Sequence, residues 1–232
     1  SGSASSNKLY DAVRGTTKYI ASNNTGAEGT ESGVTSFDSD GFTLGSAGGT
    51  NGNSETYASW NWKANGSGSS NTDGSITSTV SANTTAGFSI VTHTGNGSTA
   101  TIGHGLGAVP KVIFSRKRAV DNWFTYHHGL GNGKYVLLEA TDAQATSSNV
   151  WNDTTPTSAV FTKGGPANEN AATYISYCFA EKKGFSRFGT YKGNSSASGP
   201  FIYCGFKPAL FVVKRYDASG EYWNVLDSKR NP

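Results

Sequence analysis

Short apolar or alternating runs punctuate the chain, each bounded by Gly, Asn, Asp or Ser. They fall at 18–22, 41–44, 56–62, 88–94 and 111–115, then at 134–139, 159–163, 173–179, 185–191, 201–204 and 209–214. Runs of this length and spacing, with turn residues between them, predict the strands of a β-sandwich or barrel. Within 56–62, Tyr57, Ser59 and Asn61 alternate with Ala58, Trp60 and Trp62, and T-Y-I-S-Y-C-F-A at 173–180 also carries aromatics at both parities. Successive strand side chains point to opposite faces. One aromatic face therefore fills a core, and the other is packed in an assembly or displayed. A helical signal is confined to 142–149, which is polar and uncapped at its far end. Gly, Asn and Thr elsewhere work against helix, so the chain is expected to be all-β.

The runs recur. K-Y at 18–19 returns at 134–135, F-T-L-G at 42–45 as F-T-K-G at 161–164, and N-x-N-x-x-T-Y at 51–57 at 168–174. G-F-S at 87–89 returns at 184–186, G-N at 95–96 at 193–194, Pro110 at Pro208, and the aromatic Trp123 at Trp223. Offsets stay between 116 and 119 in the first part and between 97 and 100 in the second, which marks a Gly/Ser/Asn/Thr insertion around 65–85. Such self-similarity predicts two related β-sandwich (jelly-roll-like) units arising by internal duplication. Residues 86–182 hold one full set of segments. The set left over is divided between 1–64 and 183–232. A half-sandwich would leave an apolar face and a strand edge in water. Either the two ends complete each other within one chain, the favoured expectation, or the tail of one chain completes the next by strand addition.

Composition narrows the function. The 232 residues include 30 Gly, 12% aromatics and only 15% charged residues, for a net charge of +3. The aromatic content supplies a core, so the chain is not of the disordered type. Basic residues cluster only at Arg116, Lys117 and Arg118 and at Lys182 and Lys183, read as solvated strand ends; no nucleic-acid partner is expected. No apolar run is long enough for a membrane-spanning helix, and no membrane insertion is expected. The chain has no Met, and is expected to be a segment of something longer. Cys178 and Cys204 occupy different repeat positions, and a single bridge and two free thiols both remain open. The six N-x-S/T sequons are what so much Ser and Thr produces by chance.

No motif of nucleophilic, metal-dependent or phosphate-binding catalysis occurs, so no catalytic residue, cofactor or metal is expected. His104, in G-H-G-L-G, is expected to tie a turn to neighbouring backbone. His127 and His128 follow Trp123 and Tyr126. As adjacent strand residues they should face apart and not chelate one metal. Asp38 and Asp40, in S-F-D-S-D-G-F, are expected to form an ordinary turn rather than a Ca²⁺ site. Flat rings stack on the apolar faces of sugars while Asn, Asp and Ser supply directional hydrogen bonds. Trp60 and Trp62 are expected in packing. The candidate ligand-binding residues are Trp123, Tyr126, His127, Trp151 and Trp223.

A resemblance then enters on longer motifs. A-G-F-S-I-V-T-H-T-G-N-G, G-H-G-L-G-A-V-P-K-V-I-F-S-R-K-R and D-N-W-F-T-Y-H are similar to an uncharacterised repeat domain of bacteriophage tail-fibre and virion appendage proteins, many of them from marine or cyanobacterial phages. W-N-D-T-T-P-T-S-A-V-F, G-F-S-R-F-G-T-Y-K-G-N, G-P-F-I-Y-C-G-F-K-P-A, and D-A-V-R-G with S-F-D-S-D-G-F-T-L-G-S share that similarity. The resemblance implies a structural or adhesive virion protein located in a surface appendage. Its implied partners are other copies of itself in a homotrimer or filament, other virion proteins, and a host surface glycan. It assigns no catalytic residue. A purely structural filament or capsid-surface protein and a polysaccharide-degrading tailspike are the competing expectations.

Overall fold

The computed structural model describes residues 6–230; residues 1–5, 231 and 232 of the spans drawn above lie outside the described residues. The amino-terminal strands are β1 (Lys8–Asp11), β2 (Gly15–Ala21), β3 (Gly29–Thr30), β4 (Val34–Phe37) and β5 (Phe42–Leu44), followed by the helical turn α1 (Gly48–Asn51). Next come β6 (Ser69–Asn71), β7 (Ser78–Asn83), β8 (Phe88–Thr94), β9 (Ala100–Gly103), β10 (Val112–Lys117), β11 (Phe124–His127), β12 (Lys134–Leu137) and β13 (Ala145–Thr146). The turn α2 (Ser148–Trp151), then β14 (Val160–Lys163), β15 (Thr173–Phe179), β16 (Leu210–Val213) and β17 (Asn224–Asp227) complete the order. The protein is all-β, as its pattern predicts.

One eight-stranded antiparallel sheet, in the order β13-β12-β11-β10-β15-β8-β7-β6, organises the molecule. Its two faces bury different side chains because its strands alternate. Val80, Val91, Ile113, Tyr126 and Cys178 point to the inner face, where Ile102 and Phe161 of the β9–β14 pair and Val150 and Trp151 of α2 cover them. That gives a lopsided sandwich. Phe88, Ile90, Ile175 and Tyr177 point to the outer face, and Trp123 joins them. There Ile20, Leu9 and Val13 of the β1–β2 hairpin provide the cover.

Several expectations change. The Gly/Ser/Asn/Thr insertion around 65–85 supplies β6 and β7, and β7 pairs with β8 over six residues. Ser and Thr serve there because they bond backbone inside the sheet, as Ser78 Oγ does to the Gly103 carbonyl and Ser81 Oγ to the Asn65 amide. The helix expected at 142–149 is a short strand followed by one turn, capped by Ser147 Oγ accepting from Asn149 N. The runs at 56–62, 185–191 and 201–204 form no strand. Among the described residues, β1–β5 and β16–β17 share no strand pairing; β1–β3 lie instead on the central sheet.

Candidate functional site

The outer face of the central sheet carries a continuous band of aromatic rings. Trp123 stacks on Tyr177 at 6.0 Å between centroids, Tyr177 on Phe88 at 6.5 Å, and Phe88 contacts Phe179 at 5.0 Å. Phe179 continues to Phe114 at 5.6 Å and to Trp62 at 6.0 Å, and Phe114 meets Trp223 edge-on at 6.4 Å. Edge-on and offset contacts of this kind add modest attraction beyond the area they bury. Strands β8, β15 and β10 hold the middle of the band rigidly. Trp62 and Trp223 form its rim, with Trp62 46% exposed and Trp223 half-buried.

A buried ionic cluster locks the amino-terminal hairpin over one end of the band. Arg14 pairs with Asp11, donates to the Leu9 carbonyl and to the Tyr177 hydroxyl, and reaches Glu28 at 3.2 Å. Burial pushes the Tyr177 hydroxyl far above its ordinary range. Against the cost of burial, Arg118 and Arg14 hold the Glu28 carboxyl below its usual range. Arg116, expected at a solvated strand end, is fully buried, its guanidinium donating to the carbonyls of Asn24, Thr25 and Gly26. A rigid five-donor fork can satisfy several carbonyls at once, which an ammonium cannot do in the same geometry. The sequence signal for this dock was the D-A-V-R-G motif and the basic run at 116–118, read there as surface.

Three of the five candidate ligand residues lie in the core. Trp123 is 0% exposed and donates from Nε1 to the Ala21 carbonyl at 2.7 Å. Tyr126 and Trp151 are 2% and 1% exposed and meet edge-on beneath α2. These rings offer no face to a ligand in this fold: Trp123 is covered by the hairpin carrying Ala21, 102 residues away, and Tyr126 and Trp151 cover each other. His127 is half-buried, its Nδ1 accepting from the Gly129 amide, and burial and then His128 push its pKa down to about 4. Its ring stacks on His128 at 5.1 Å rather than facing away, because β11 ends at His127 and the chain turns. Trp223, half-buried like His127, lies at the rim of the aromatic band, with Nε1 donating to the Leu137 carbonyl.

His104 ties its turn to backbone: Nδ1 accepts from Leu106 N, so Nε2 carries the proton and donates to the Thr157 carbonyl at 3.2 Å. Asp38 accepts from Thr43 within an exposed turn. Both cysteines are free thiols, Cys178 buried and Cys204 half-buried. Among the described residues, no group of three or more His, Cys, Asp or Glu is placed to hold a metal ion, and no helix is long and apolar enough to cross a membrane.

A second buried cluster was not legible in the sequence. Lys163 is 1% exposed, with its ammonium 5.2 Å above the Trp151 ring, 5.3 Å above Tyr174 and 5.8 Å above Phe124. Burial lowers its pKa to about 8. His93 stacks on Tyr174 at 4.9 Å, and neither of its ring nitrogens has a hydrogen-bond partner among the described residues.

The surface beyond the band is unusually apolar at the chain ends. Of 18 exposed large hydrophobic side chains among the described residues, sixteen lie within 37–62 and 185–226.

Along its whole length, residues 1–232, the chain matches the model of the family described as Domain of unknown function (DUF7483), and it belongs to that family. No curated protein and no solved structure matches it.

Proposed function

We propose that this member of the DUF7483 family is a structural and adhesive domain of a bacteriophage fibre or virion appendage, packing against copies of itself and other virion proteins and contributing to recognition of a host surface glycan. One observation carries the reading: large apolar rings are concentrated on the open segments 37–62 and 185–226 rather than scattered. Contiguous exposed apolar surface marks a binding or assembly face. At the band's rim, Trp62 and Trp223 present indoles beside polar Asn61 and Asn224, the combination that stacks on a sugar ring and hydrogen-bonds its hydroxyls.

The burial of Trp123, Tyr126 and Trp151 favours a second reading, a purely structural filament or capsid-surface protein with no ligand. Binding of the purified domain to a glycan array and to host cells separates the two. The adhesive reading expects binding that falls at least tenfold in Trp223→Leu while the melting temperature stays near that of the wild type. Absence of binding on both surfaces leaves the structural reading. Release of reducing sugar ends from host capsule would instead establish a degrading tailspike.

A further inference from the structure

We propose that residues 32–62 of one copy dock on the β16–β17 hairpin of a second copy, giving a head-to-tail contact between identical chains. The inference rests on the reading above that copies pack on one another, and it names the two surfaces.

The central sheet shows what such a hairpin requires. In β10–β11, Val112 pairs with His127, Ile113 with Tyr126, Phe114 with Thr125 and Ser115 with Phe124. In β16–β17, Leu210 pairs with Asp227, Phe211 with Leu226, Val212 with Val225 and Val213 with Asn224. These are the corresponding positions 98 to 100 residues later. The other edge of β10 is filled by β15, where Phe114 pairs with Tyr177 and Ile113 with Cys178. Among the described residues, the other edge of β16 has no strand partner. Ile113 and Tyr126 are 0% and 2% exposed, whereas Phe211 and Leu226 are 44% and 47% exposed. A two-stranded ribbon open on an edge and both faces is a template for pairing.

The chain also contains the segment that matches β15 in sequence. It is 56–62, which forms no strand and exposes Tyr57, Trp60 and Trp62. Within its own chain this segment is anchored elsewhere. Trp62 packs on Phe88 and Phe179 of the central sheet, and the Lys63 carbonyl accepts from Asn83. Its meeting with the carboxy-terminal hairpin is a cation over a ring, Arg230 4.8 Å above Trp60, with no ladder along β16.

Charge selects a second copy as the occupant and fixes the direction. Residues 32–62 contain Asp38, Asp40 and Glu55, all exposed, and no Lys or Arg. Residues 183–230 contain eight Lys or Arg against three Asp or Glu, a net of +5. Unlike surfaces steer copies together head to tail, whereas pairing two β16 edges back to back would oppose two basic segments. A contact between different patches of identical chains propagates into a ring or an open filament. Lys207 lines the groove formed by Pro208, Leu210, Phe211 and Leu226; the Asp227 that also lines it is paired with Arg230, and Lys229 follows two residues later in the chain, so the apolar seat lies in a basic segment.

The test uses the whole chain in sedimentation velocity. Wild type should associate with rising concentration, at least tenfold more weakly in 0.5 M than in 0.05 M salt. A tail-blocked variant, F211D with L226D, and a head-reversed variant, D38K with D40K and E55K, should each stay monomeric. Mixed in equal amounts, they should form a heterodimer and stop there, because the pair retains one working head and one working tail. Should the tail substitutions disturb the hairpin, K207E with K229E gives a second route: this tail should fail with a wild-type head and recover with the reversed one. A wild type that remains monomeric at every concentration, as closure within one chain would give, overturns the proposal, as does a mixture that does not pair. Host-surface binding by a strictly monomeric protein would leave the adhesive reading standing and remove the interface. Head-to-tail assembly without host-surface binding would do the reverse.

Discussion

The Tyr177 hydroxyl donates to the Asp11 carboxylate at 2.8 Å, across 166 residues of sequence. This bond, with Arg14 beside it, joins the amino-terminal hairpin to the centre of the main sheet. Replacing Tyr177 by Phe removes one hydrogen bond to a buried carboxylate and should lower the unfolding free energy by about 1.5–3 kcal/mol. Arg14→Leu leaves that carboxylate buried without its counter-ion and should cost about 3–5 kcal/mol. The double variant Arg14→Leu with Asp11→Leu should cost less than Arg14→Leu alone, because no orphan charge remains. Urea unfolding monitored by tryptophan fluorescence reads all three. A double variant at least as damaged as the single one would refute the assignment.

His93 should make the protein acid-sensitive. Burial, and next the neighbouring Lys163, lower its pKa to about 3 from an ordinary 6.5. Between those values the unfolded chain binds a proton that the folded chain does not, so stability is lost as pH falls from 6.5 towards 3. The loss from this group is at most about 1.4 kcal/mol per pH unit. His127, lowered to about 4 by burial and by His128, acts in the same direction. His93→Gln should flatten the decline of melting temperature between pH 6.5 and 4; an unchanged slope would exclude His93 as a source.

Lys163 couples stability to pH, which an exposed lysine with an unshifted pKa does not do. Its pKa of about 8 lies below the ordinary 10.5 because the charged form is desolvated. Between pH 8 and 10.5 the unfolded chain holds the extra proton, so this group makes stability rise with pH across that window. Lys163→Met keeps the length of the side chain against Trp151, Tyr174 and Phe124 and removes the buried charge. It should raise the melting temperature at pH 7 and abolish the rise above pH 8. Calorimetry over pH 7–10 checks both.

The two thiols should be chemically distinct. Burial pushes the Cys178 thiol up to about 12, and the thiolate is the reactive form. Native protein should therefore present one titratable thiol to Ellman's reagent, Cys204, and denatured protein two. Two fast thiols in the native state would contradict the burial of Cys178.

Gly87 and Gly184 stand at the same place in the repeated G-F-S motif, and both have left-handed backbone, at φ +71° and +76°. A methyl at Gly87 would overlap the Ala180 carbonyl oxygen, whereas a methyl at Gly184 meets open space. Gly184→Ala should cost about 1–2 kcal/mol through backbone strain alone. Gly87→Ala should cost clearly more, because strain and steric overlap combine. Chemical denaturation of the two variants measures the difference.

The sequence was most legible where local pattern and burial agree. Runs at 88–94, 111–115 and 173–179 became β8, β10 and β15 because apolar residues at both parities suit a sheet covered on both faces. The run at 56–62 has the same pattern and forms no strand, because a strand needs a partner along its edge and among the described residues no strand is paired with it. Conversely, S-T-V-S-A-N at 78–83 falls in the insertion around 65–85, outside every run expected to be a strand, and is a strand, since β8 lies ready to pair with it. Candidate residues Trp123, Tyr126 and Trp151 drew attention as large rings near loops; local sequence carries no sign of which distant element will cover them.

The sequence alone therefore determined the all-β class, the spacing of the turns and the recurrence of motifs, since alternation and turn chemistry act over a few residues. Only the tertiary structure decided that β1 and β2 cover the outer face of the main sheet and that Arg14, Arg116 and Lys163 are buried. It also decided which aromatic rings remain at a surface. Burial is a property of neighbours, and those of Arg116 and Tyr177 arrive from 90 to 166 residues away, while Lys163 is covered by Phe124, Trp151 and Tyr174.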